Sequence, residues 1–102
     1  MVRDESMLPT LHPGDRLLVD RRAYRGRPPQ VGEIVVLADP EEPRRWLVKR
    51  VASVDPPASS IEVRGDAVDT ARDSRRFGPV PFASVVGRVY RCYFPPERRR
   101  EF

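Results

Sequence analysis

The stretch "RWLVKRVASV" at residues 45–54 decides what kind of fold this chain takes. As a β-strand it alternates faces. Leu47, Lys49, Val51 and Ser53 then share one face, and Trp46, Val48, Arg50, Ala52 and Val54 the other. Segments of the same kind lie on either side: "RLLVD" (16–20), "EIVVLA" (33–38), "SIEVR" (60–64) and "SVVGRVYRCYF" (84–94). Turn chemistry separates them, as "HPGD" (12–15), "GRPPQVG" (26–32), "DPEEP" (39–43) and "DPPASS" (55–60). Short Val- and Leu-rich segments divided by Pro and Gly predict an all-β domain. Twelve prolines and six glycines leave little room for helix; the one helical piece expected is a turn near Met7–Leu11. Residues 65–81 read as a long loop without a period, held by internal ion pairs among its aspartates and arginines. The Pro-led, charged tail 96–102 is expected to fray, which leaves 1–95 as the structured domain.

The chain of 102 residues is one small domain. No apolar run approaches the roughly 18 residues of a membrane span, and no signal-peptide pattern is present. The chain as written reads as soluble. One cysteine, Cys92, rules out an internal disulfide, and one histidine, His12, leaves almost nothing for a Cys/His zinc site. No metal and no cofactor are expected.

The net charge is +4, with 19 basic residues, and Lys49 is the single lysine among arginines. An arginine bias can simply reflect genome composition. It still leaves one lysine where a guanidinium would not serve, because lysine alone of the two can lose its proton. Lys49 lies between Leu47 and Val51 on its face of the strand. Two readings follow. Its amine is desolvated, which lowers a lysine pKa and suits a base, or its stem lies on the core and its head reaches water. From alternation alone the second is the plainer reading.

Near the start, "DESMLPTLHPGD" (4–15) places a lone Ser6 in a Pro-punctuated loop. A serine hydroxyl needs a base within hydrogen-bond reach to act as a nucleophile. His12 has no orienting carboxylate except Asp15 and reads as a solvated turn residue. Lys49 is the remaining candidate, which would make a Ser-Lys dyad.

These residues resemble a known family. "SMLPTLHPGDRLLVD" (6–20) resembles the catalytic-serine box of type I signal peptidases. "GEIVVL" (32–37) looks like the next strand box, "LVKRV" (47–51) the catalytic-lysine box, "GDAVDTARDSRRFGPVP" (65–81) the last box, and "VVGRVYRCYFP" (85–95) the closing strand. The resemblance implies a coiled, mostly antiparallel β-sheet and a serine endopeptidase. Ser6 would be the nucleophile and Lys49 the general base, with the Ser6 N–H helping to form the oxyanion hole. Met7, Leu17 and Val48 would shape a pocket for small substrate side chains. Pro9 would support the serine loop, and Asp73 and Arg75 would form an ion pair behind the site. The substrate would be a precursor protein carrying an N-terminal leader or signal peptide.

Three positions depart from the family pattern. Ala71 stands where a serine often orients the lysine, with Thr70 one residue out of register. Ala67 replaces an asparagine. Asp4 occupies a position that often supplies a hydroxyl to the oxyanion hole, and an ionised carboxylate only accepts hydrogen bonds. The compact chain, "TARDSRRFGPVP" (70–81) and the run "GDRLLVDRRAYRGRPPQVGEIVVL" (14–37) look like the soluble branch that matures nickel-type superoxide dismutase. On that reading the enzyme is a cytoplasmic monomer. The alternatives are a general secretory signal peptidase on the outer face of the cytoplasmic membrane, whose anchor is missing from this chain, and an inactive relative. Self-cleaving repressors share the dyad but need a DNA-binding domain and a cleavage loop ahead of the serine. A basic β-domain binding single-stranded nucleic acid fits the aromatics but not the arginines, which are mixed with 15 acids along the whole chain. No nucleic acid is expected as a partner.

Overall fold

Four consecutive apolar residues, Ile34 to Leu37, cannot all face one side of a strand, so both sides must be covered. The computed structural model, which describes residues 1–67 and 73–102, places them at the centre of a seven-stranded antiparallel sheet. The strands are β1 (Arg16–Asp20), β2 (Ile34–Ala38), β3 (Trp46–Asp55), β4 (Ser60–Arg64), β5 (Val80–Pro81), β6 (Val85–Phe94) and β7 (Arg100–Glu101). Their order is β1-β6-β2-β3-β4-β5, with β7 added to β6. One face of β2 joins a core of Val35, Leu37, Leu47, Val51, Ile61, Val63 and Val80. The other joins Val2, Met7, Leu11, Ile34, Val36 and Val89. The second core draws the serine loop onto the sheet.

The all-β, antiparallel expectation holds. β1 and β4 occupy the expected residues, and β2, β3 and β6 differ only at their ends. Within β3 the register shifts between Val51 and Ser53. Alternation therefore breaks there. Ala52 and Ser53 are both exposed, and Val54 turns back toward Ile61. Gly87 in β6 lies against the end of β1. A Cβ there would meet the Asp20 carbonyl oxygen at 2.5 Å and Val19 Cγ1 at 2.8 Å.

Two segments differ from expectation. The stretch read as a loop over 65–81 contains a single helical turn, α1 (Ser74–Phe77), and β5, which pairs with β4. The tail is not frayed. β7 pairs with β6 through Arg91 and Cys92, Arg98 Nε donates to Asp15 Oδ1 at 2.8 Å, and Phe102 packs against the second core. A buried carboxylate and an apolar patch hold a segment whose composition is polar.

Candidate active site

Ser6 lies in a tight loop rather than a helix. Leu11 N donates to the Met7 carbonyl at 2.9 Å, which closes one helical turn where it was expected, and the Leu8–Pro9 bond is cis. Met7 and Leu11 are buried in the second core, and this pins the loop on both sides of exposed Pro9. Ahead of the loop, Val2 N donates to the Asp15 carbonyl at 2.8 Å and Gly14 N to the Val2 carbonyl at 2.7 Å. Ser6 itself is buried at 9% exposure.

Lys49 is 1% exposed, and this overturns the snorkelling reading. It pairs across the sheet with Val35 and shares its face with Leu47 and Val51. A charge taken from water into such surroundings is disfavoured, and a neutral amine is the form burial favours.

Asp4 is bonded to the serine loop. Its Oδ1 accepts the Ser6 backbone N–H at 3.0 Å. Burial pushes the Asp4 carboxyl up. Hydrogen bonds with the Ser6 backbone and side chain, and the charges of Lys49 and Arg45, outweigh this and hold it below the ordinary value of 3.8. Asp4 is therefore bonded to Ser6 and lies in the field of Lys49.

A second carboxylate ties the surrounding elements. Asp66 accepts from Arg50 Nε at 2.9 Å and Nη2 at 2.8 Å, and from the Thr10 hydroxyl. Arg50 Nη1 also donates to the Gly32 carbonyl at 2.7 Å. One side chain therefore links the serine loop, the turn after β4 and the residue beside Lys49. Asp66, expected to pair within its own loop, pairs instead with Arg50 and Thr10, 16 and 56 residues away, which no local sequence signal marks. Next to Asp66, Ala67 donates its backbone N–H to the Ser6 carbonyl at 2.9 Å. That contact does not depend on the side chain at 67.

Asp73 is fully buried and caps α1. It accepts from Arg75 Nε at 3.0 Å and Nη2 at 2.7 Å, from Arg75 N at 3.0 Å and from Gly65 N at 3.1 Å. The expected Asp73–Arg75 pair is present, and its link to Gly65 braces the turn that holds Ser6. The positions at Thr70 and Ala71 lie outside the described residues. His12 is half-buried, and Asp15 accepts its backbone N–H at 2.9 Å.

Beside Asp4 runs a groove of about 510 Å³ between residues 1–4 and the turn leading into β3. Met7 and Val48 line it, with Arg45 and Trp46 on the far wall. Leu17 does not line it. Alternation in β1 turns Leu17 inward, with Val19, onto the second core. Among the described residues no cluster of His, Cys, Asp and Glu suits a metal ion, and no helix is long and apolar enough to cross a membrane.

The family described as signal peptidase, peptidase S26, matches residues 1–63, and the chain belongs to that family. A relative named mitochondrial ATP-independent inner membrane protease subunit 1b, from Arabidopsis thaliana, is 40% identical over 105 residues, covering 82% of this chain and 62% of that protein. Subunit 1a from the same plant is 31% identical over 117 residues, covering 94% of this chain and 70% of that protein. A probable signal peptidase I-1 from Synechocystis is 27% identical over 139 residues, covering 95% and 71%. The chain thus spans about two thirds of the length of these relatives. These names support the family and not the nickel-type superoxide dismutase branch, which is not carried forward.

Proposed function

We propose that this protein is a serine endopeptidase that removes N-terminal leader segments from precursor proteins, with Ser6 as nucleophile and Lys49 as general base. The observation that carries the reading is the burial of the only lysine, on a strand beside the serine loop, with Asp4 bonded to the Ser6 backbone. Neutral Lys49 takes the Ser6 hydroxyl proton as the oxygen attacks the scissile carbonyl. The Ser6 N–H stabilises the oxyanion that forms. Lys49 then gives its proton to the leaving amine, and the acyl group remains on Ser6. Water, deprotonated by the same amine, releases it. Nothing in this sequence of steps consumes a nucleotide, in keeping with the name of the ATP-independent plant relatives. Met7 and Val48 form the floor that admits small side chains. Asp66 and Asp73 brace the loops that set the geometry.

The relatives' names also favour precursors at or beyond a membrane. Arginines from across the sheet pair with acids, among them Arg27 and Arg88 with Glu33 and Arg76 with Glu41, which counts against a basic nucleic-acid stripe. Cleavage of a peptide spanning a leader junction with small residues before the cut is the test. Wild-type turnover that Ser6→Ala and Lys49→Ala both abolish is the expected result. Turnover that survives either change refutes it.

A further inference from the structure

The N–H that the mechanism assigns to the oxyanion is already occupied. Asp4 Oδ1 sits 3.0 Å from Ser6 N. A carboxylate oxygen carries negative charge, as does the oxygen of a tetrahedral intermediate, and charge-assisted bonds to N–H are the strong ones. The same carboxylate lies in the field of Lys49. That attraction is mutual, so an ionised Asp4 favours the ammonium form of the amine that must be neutral to act. Asp4 therefore opposes two requirements of the reaction at once.

Asp4 is also placed to move. It is exposed, and it stands on the wall of the groove with Arg3, Glu42, Arg44 and Arg45 around it. A substrate strand laid between residues 1–4 and the turn before β3 would meet its side chain. Arg45, whose charge already acts on Asp4, offers the carboxylate another partner along the wall.

We infer that Asp4 is a displaceable internal anion: in the resting enzyme its carboxylate occupies the oxyanion donor of Ser6, and a bound substrate moves it aside. The inference rests on the peptidase reading and adds a resting state to it. It predicts that the native residue at position 4 slows the enzyme and that removing its charge speeds it.

Because Lys49 is the only lysine, lysine labelled with ¹³C at Cε gives one side-chain NMR signal, and its pH titration reads this amine alone. The titration is run on wild type, Asp4→Asn and Asp4→Ala, alongside the pH dependence of kcat/KM for the leader peptide. Asparagine keeps an acceptor oxygen and removes the charge; alanine removes both. Both variants are expected to lower the Lys49 pKa and to shift the acid limb of kcat/KM downward with it. Alanine is further expected to raise kcat/KM about tenfold near neutrality, the scale of one net hydrogen bond. An unchanged Lys49 pKa, or slower cleavage by Asp4→Ala, overturns the inference. If cleavage depends on Ser6 and Lys49 but ignores position 4, this inference alone fails. If neither wild type nor Asp4→Ala cleaves, the peptidase reading fails and takes the inference with it.

Discussion

Replacing Asp73 with asparagine tests how the wall behind Ser6 is held. The wild-type carboxylate is fully buried and accepts hydrogen bonds from the Arg75 backbone, the Arg75 guanidinium and Gly65 N. Asparagine can still cap α1 with its oxygen, but its NH₂ group must face one of these donors. A hydrogen bond to a charged group contributes about 1.5–3 kcal/mol. The Arg75 side chain is 42% exposed, so solvent screens its share of the pairing. A net loss of about 2 kcal/mol follows, a large part of the roughly 5–15 kcal/mol that holds a small domain. At about 4–8 °C per kcal/mol, Tm should fall by roughly 8–16 °C. Burial pushes the Asp73 carboxyl up, but its hydrogen bonds to Arg75 and Gly65 and the Arg75 charge hold it below 3.8. A depressed native pKa gives stability that is full above the ordinary value and is lost as pH falls through the depressed one. The gap between wild type and Asp73→Asn should therefore be full at neutral pH and shrink below pH 3.8. Thermal melts followed by circular dichroism at several pH values measure both. A Tm drop of less than about 3 °C at neutral pH, or a gap that widens in acid, would refute the reasoning.

Lys49→Met should abolish leader cleavage and leave Tm equal or higher, because an apolar side chain of similar length replaces a buried amine; melting and turnover on the same preparation check it. Asp66→Ala should cost about 1–2 kcal/mol and lower kcat more than it raises KM, since it frees Thr10 and Arg50 without touching the groove. Steady-state kinetics and urea unfolding test this, and an unchanged kcat would show that the clamp is only structural. Gly87→Ala should destabilise by about 1–3 kcal/mol through its clash with the Asp20 carbonyl, read as a lower urea midpoint at constant slope.

The strands were legible because each carries a Val- and Leu-rich core between Pro- and Gly-marked turns. The elements missed were those too short to have a period: α1 spans four residues and β5 two. The shift between Val51 and Ser53 was hidden for a different reason, since no glycine or proline marks it. Lys49 was flagged by being the only lysine and by its apolar neighbours, yet its burial depends on Val35 across the sheet, a pairing that alternation cannot supply. Asp4 was visible as a departure from a family pattern. That it takes the Ser6 N–H comes from how the loop folds back two residues, and this is a matter of backbone geometry. The tail looked polar and frayed because Asp15, which receives Arg98, lies 83 residues away.

The central claim is that Ser6 carries the acyl group. A leader-derived peptide ester with a small residue at the acyl position, quenched in acid and followed by intact-protein mass spectrometry, tests this directly. The account predicts a covalent adduct of the acyl mass, located on Ser6 by fragmentation, that is absent in Ser6→Ala and in Lys49→Met. An adduct on another residue, or ester cleavage that persists in Ser6→Ala, would contradict it.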